Sequence, residues 1–130
     1  MRRIATVAMV VADYGEAIAW YVEKLGFELA EDISLGEGKR WVVVAPAGGQ
    51  GVRLLLAEAK DDDERSRIGN QTGGRVFLFL ETDDFSRDHA AMLANGVEFR
   101  ETPRTEAYGT VAVFADLYGN LWDLIEPKNL

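Results

Sequence analysis

The stretch "GTVAVFADLYGNLWDLIEP" (residues 109–127) decides the fold. It reads as a strand, a turn at Tyr118-Gly119-Asn120, and a closing strand. An earlier stretch, "RWVVVAPAGGQGVRLLLAEA" (40–59), has the same layout, with Pro46 and "GGQG" (48–51) between two apolar strands. The segments ahead of these hairpins match as well. "GFEL" (26–29) matches "GVEF" (96–99), Gly26 matches Gly96, and Asp13 matches Asp83, a shift of about 70 residues.

Working outward, each half opens with a strand and a helix. "IATVAMVV" (4–11) is a β-branched apolar run. Asp13 then stands as an N-cap, Ala17, Ile18, Tyr21, Val22 and Leu25 fall at helical spacing, and Gly26 supplies the stop. In the second half "RVFLFLETDD" (75–84) is the strand and "FSRDHAAMLANG" (85–96) the helix, with Asp84 ahead of it as an N-cap. "FELAEDISL" and "VEFRETP" supply the remaining strands. The expectation is an α+β fold of two tandem βαβββ modules. Module one spans about 1–59, a polar connector about 60–74, and module two about 75–130. One helix covers one sheet face, so the other face must pack on something or enclose something. Two such modules side by side predict a curved mixed sheet with a concave ligand cup and helices outside.

Composition narrows the function. There is no cysteine, which excludes disulfides, thiolate metal sites and cysteine nucleophiles. His89 is the only histidine, so any histidine pair or Ser-His-Asp triad is excluded unless it uses His89. Its place in the spacing Phe85–His89–Met92 assigns it to a helix stripe rather than to chemistry. Acidic residues outnumber basic ones, 22 to 14, for a net charge of −8. That disfavours nucleic acid and anionic membranes, which need clustered cations. No apolar run approaches the ~18 residues of a membrane span. Asp13 and Glu16 interrupt the N-terminal apolar stretch, so it is read as strand and helix rather than as a signal peptide, and the expected location is cytoplasmic.

The stretches 7–29, "FLETDDF" (79–85), "NGVEF" (95–99) and 108–127 together resemble the vicinal oxygen chelate superfamily of glyoxalase I, extradiol dioxygenases and bleomycin-resistance proteins. The resemblance covers nearly the whole chain, and it speaks for fold more than for chemistry. It implies a homodimer. It also implies four metal-ligand positions on four strands, which fall at Thr6, near Leu54, at Phe77 and at Asp123. Of these only Asp123 is a strong ligand, so no metal and no cofactor is expected.

By strand alternation Thr6, Ala8 and Val10 share one face, Phe77, Phe79 and Glu81 another, and Leu121, Asp123 and Ile125 a third; all three look into the cup on this register. Trp41, Tyr108 and Trp122 are candidate rim residues, with core packing the competing reading for each aromatic. The ligand-binding set is therefore Thr6, Trp41, Leu54, Phe77, Phe79, Tyr108, Trp122 and Asp123. An acid among leucines is costly unless paired, and Arg53 or Arg75 is a candidate partner that would make Asp123 structural. Glu58 and Glu126 lie at strand ends, away from any point of convergence. The expected function is metal-free binding of a small aromatic or cationic ligand. The alternatives are a metal-dependent lyase, isomerase or dioxygenase with atypical ligands, and a metal-free enzyme using a carboxylate base.

Overall fold

A computed structural model describes residues 1–128 as two compact units, 1–68 and 69–128. The fold is mixed α+β, with one mixed sheet in each unit.

The first unit runs β1 (Thr6–Val11), α1 (Tyr14–Leu25), β2 (Glu28–Gly36), β3 (Lys39–Ala45), β4 (Arg53–Glu58) and a single helical turn, α2 (Asp62–Arg65). Its sheet has the order β1-β4-β3-β2. β1 and β4 are parallel, and the other pairs are antiparallel. α1 begins because Asp13 accepts the Glu16 N–H at 2.8 Å, satisfying one of the helix's open donors. It ends at Gly26, whose φ of 70° lets the Phe27 N–H turn back to Tyr21 O at 3.0 Å. Tyr14, Ala17 and Tyr21 are the buried stripe of α1, and Tyr21 Oη reaches Met9 Sδ at 3.6 Å. Met9 and Val11 therefore face the helix, and Thr6, Ala8 and Val10 face away from it.

The second unit repeats this plan with β5 (Leu78–Glu81), α3 (Phe85–Ala94), β6 (Glu98–Phe99), β7 (Arg104–Glu106), β8 (Gly109–Ala115) and β9 (Leu121–Pro127). The sheet order is β5-β9-β8-β6, with β7 also paired to β8. β5 and β9 are parallel, as β1 and β4 are. An aromatic chain fills the space under α3: Phe85 stacks on His89, His89 meets Phe99 edge-on at 4.5 Å, Phe99 touches Phe114, and Phe114 stacks on Trp122 at 5.8 Å. His89 is thus part of that packing.

The repeat is physical as well as textual. Glu58 at the end of β4 accepts the Tyr14 N–H at 3.2 Å, and Glu126 near the end of β9 accepts the Phe85 N–H at 2.8 Å. Each strand-end acid holds the first turn of its unit's helix, where the dipole favours a negative charge. One detail of the repeat needs correction. The second helix is capped by Asp84, which accepts the Arg87 N–H at 3.0 Å, so Asp13 corresponds to Asp84 and not to Asp83. α3 is shorter than α1, which moves its start by one residue while Gly26 and Gly96 stay aligned. The expected strand over 75–84 is trimmed to β5, and β7 is an additional strand.

Candidate functional site

The helix-free face of the second unit's sheet brings several candidate residues together. In β9, Trp122 and Leu124 pair with Phe114 and Ala112 on the helix side. Leu121, Asp123 and Ile125 consequently stand on the opposite face. Asp123 is opposite Val113 of β8 and beside Phe79 of β5. The two neighbours differ sharply in exposure: Asp123 is 6% exposed and Phe79 is 64% exposed. Phe77 precedes β5 and donates its N–H to Leu121 O at 2.7 Å, which places it at the start of the same wall.

Among the described residues no cation pairs with Asp123 at hydrogen-bond distance. Its Oδ1 is buried and meets no hydrogen-bond donor among the described residues. Neither expected partner pairs with it: Arg53 holds Glu31 at 2.9 Å, and Arg75 lines a different pocket. The cation that acts on Asp123 is Arg104, which lies opposite Val111 on the helix-free face. Its guanidinium is already shared. Nε meets both oxygens of Glu101 at 3.1 Å, and Nη1 meets Glu106 at 2.9 Å and Tyr108 Oη at 3.3 Å. These partners raise the Arg104 pKa above its ordinary value, the Tyr108 and glutamate hydrogen bonds being the cause. Glu101 also accepts the Val113 N–H at 2.9 Å. Burial therefore pushes the Asp123 carboxyl above the usual range; attraction to Arg104 opposes the shift, and repulsion by Glu101 adds to it. The wall as a whole is an exposed phenyl ring, a tyrosine, a braced arginine and more acid than base.

In the first unit, an open cleft of about 590 Å³ lies at the end of the sheet, among Tyr14, Leu35, Trp41, Leu55 and Ala57. Trp41 is 38% exposed and shares the helix-free face with Leu55 and Val43. The Arg40 guanidinium sits 5.1 Å from the Tyr14 ring centre and is held by Asp32 at 2.7 Å.

Two members of the expected ligand-binding set face the other way. Leu54 pairs with Val7 and Val44 on the helix side and is buried, so the position equivalent to Asp123 is Leu55. The strand-end glutamates fix this register, since Glu58 and Glu126 stand three residues beyond Leu55 and Asp123. Trp122 packs under α3 against Phe114 and belongs to the core. Thr6, Trp41, Phe77, Phe79 and Asp123 lie on helix-free faces of their own sheets, and Tyr108 reaches that face of the second sheet through Arg104. Arg104, Glu101 and Glu106 were missed: Glu101 falls at the end of the expected strand "VEFRETP", and "RTEAYG" after Pro103 carries no apolar pattern.

The donor set does not fit a bound divalent metal. The four equivalent positions carry Thr6, Leu55, Phe77 and Asp123, a single carboxylate where three or four converging ligands are needed. No group of three His, Asp or Glu side chains suited to a metal occurs among the described residues.

Comparison with known proteins places this geometry. Residues 3–124 match the family model of the Glyoxalase/Bleomycin resistance protein/Dioxygenase superfamily. An uncharacterized protein of Shewanella frigidimarina is 57% identical over 124 residues, which is 95% of this chain and 92% of that protein. The crystal structure of UcmS2 is 30% identical, with a TM-score of 0.83 over 96% of this chain and 98% of the other. That of TnmS3, an antibiotic binding protein from Streptomyces sp. CB03234, is 29% identical, with a TM-score of 0.78 over 98% of both chains.

Proposed function

Because the chain belongs to the Glyoxalase/Bleomycin resistance protein/Dioxygenase superfamily, we propose that it is a metal-free small-molecule binding protein of the bleomycin-resistance type. Its ligand is a planar aromatic molecule bearing a cation or a strong hydrogen-bond donor. The observation that carries this reading is Asp123 Oδ1, buried beside an exposed Phe79 and meeting no donor among the described residues. An unsatisfied buried carboxylate oxygen costs stability, and a ligand donor seated on the phenyl ring would repay that cost. Stacking on Phe79 supplies apolar burial. The acids around Arg104 favour a positive group. The likeness to TnmS3 supports the same class of ligand.

Fluorescence titration with planar cationic aromatics and their neutral analogues tests the proposal. Saturable quenching is expected, with the Trp41→Phe and Trp122→Phe variants assigning the signal. Silence across the panel removes the proposal. The raised Asp123 pKa is also what a carboxylate base requires, which favours one second reading, a metal-free enzyme of the same superfamily. Recovery of chemically altered ligand after incubation would replace the first reading with the second.

The proposal includes a cytoplasmic homodimer. Ile33, Leu35 and Trp41 are exposed apolar groups of the first sheet that a second copy would cover. Light scattering across a concentration series gives the mass, and a monomer throughout would remove this part.

A further inference from the structure

The second unit contains another pocket, which the ligand reading does not use. It measures about 110 Å³ and lies where the 69–75 loop meets the turn between β8 and β9, among Gly69, Gly74, Arg75, Arg100 and Gly119. A pocket for a drug-sized molecule takes about 300 Å³ or more, so this one admits only a compact group. Its lining includes two arginines and no acid, in a chain of net charge −8.

The arginines are the informative feature. Arg40, Arg53, Arg65, Arg87 and Arg104 each hold a carboxylate. The Arg75 guanidinium has no such partner among the described residues, although its main-chain O accepts the Thr72 hydroxyl at 2.6 Å. Arg100 meets Glu98 through Nε at 3.0 Å, which leaves its terminal nitrogens for another acceptor. The nearby acid, Asp116, is turned into its own hairpin. Its Oδ1 accepts the Tyr118 and Asn120 N–H groups at 3.0 and 2.9 Å, and its Oδ2 takes the Asn120 amide at 2.9 Å. The loop also runs close against the turn. Gly69 has a φ of 73°, and a Cβ there would lie 2.1 Å from Tyr118 O, so only glycine lets loop and turn approach this closely.

We propose that this pocket binds a compact oxyanion, phosphate or carboxylate, between the guanidinium groups of Arg75 and Arg100. Paired guanidinium forks match the geometry of both anions. The pocket is separate from the Asp123 wall, and the proposal does not depend on the ligand assigned there.

The test is a titration of the labelled full chain with inorganic phosphate, followed by amide NMR, with ionic strength held constant by chloride. Acetate is titrated in a parallel arm. Saturable shifts are expected at the amides of residues 69–75 and 119–121. Arg75→Ala and Arg100→Ala should each weaken binding about tenfold or more, with the remaining spectrum showing that the fold is kept. Arg75→Lys should recover part of the loss. Saturation by acetate in place of phosphate assigns the pocket to carboxylates. Shifts that stay linear, that chloride reproduces, or that both alanine variants leave intact mean an adventitious ion only and overturn the proposal.

Discussion

At the scale of single residues, the role proposed for Asp123 sets stability against binding. Its pKa is raised by burial. Between the unfolded value, about 3.9, and the raised folded value, the native state holds a proton that the unfolded chain has released. Stability linked to this group is therefore fully present below the unfolded value and lost as pH rises through the folded one. Asp123→Asn removes the charge and with it that loss. The variant is expected to be about 1 kcal/mol more stable than the parent at pH 7, with the advantage shrinking toward pH 4, as followed by urea unfolding. The same substitution should weaken a cationic aromatic ligand about tenfold or more and a neutral analogue much less. In the parent, cation affinity should fall as pH drops through the raised Asp123 value. A variant both less stable and unchanged in affinity would assign Asp123 to structure instead.

At the scale of elements, the helix starts give a sharp test of the repeat. Asp84 caps α3 through the Arg87 N–H, and Asp83 meets only the Arg87 guanidinium at 2.7 Å on an exposed surface. Asp84→Ala is expected to cost about 1 kcal/mol and Asp83→Ala at most a few tenths, measured by denaturant midpoint at constant slope. Equal effects would mean that the two halves are offset otherwise. The elements also show what the sequence could and could not reveal. The hairpins of 40–59 and 109–127, both helices and the positive-φ glycines Gly26 and Gly96 follow from local chemistry, since turns, caps and stops are written in neighbouring residues. Strand facing was less legible. In "LWDLIEP" alternation set Leu121, Asp123 and Ile125 on one face, yet Trp122 was also a rim candidate; "RLLLAE" is apolar on both sides, so nothing local showed that Leu54 points to the helix and Leu55 does not. Cross-strand register settled it, and register is a long-range property. β7 escaped for a related reason. Three polar residues after Pro103 have no strand signature, and only pairing with β8 makes them one.

At the scale of the whole molecule, charge and donor inventory act together. An excess of acid draws cations toward the surface by long-range attraction, which salt screens. Association of a cationic aromatic ligand should therefore slow several-fold between low and physiological salt, whereas a neutral analogue keeps its rate; stopped-flow fluorescence separates them. The same attraction brings divalent metals to the surface, but attraction is not coordination. A bound first-row metal needs three or four donors converging at about 2.0–2.2 Å. This chain has no cysteine, and its one histidine is packed between Phe85 and Phe99. Its strand-end glutamates are committed to helix N-termini. Asp123 is left as the only carboxylate at the four equivalent strand positions. Protein purified without chelator should thus carry well below one equivalent of zinc, manganese, iron or nickel by elemental analysis. Added zinc should leave the unfolding temperature unchanged, because an ion that does not prefer the native state cannot stabilise it. A stoichiometric metal that survives dialysis, and that Asp123→Ala abolishes, would return this chain to the metal-dependent branch of its superfamily.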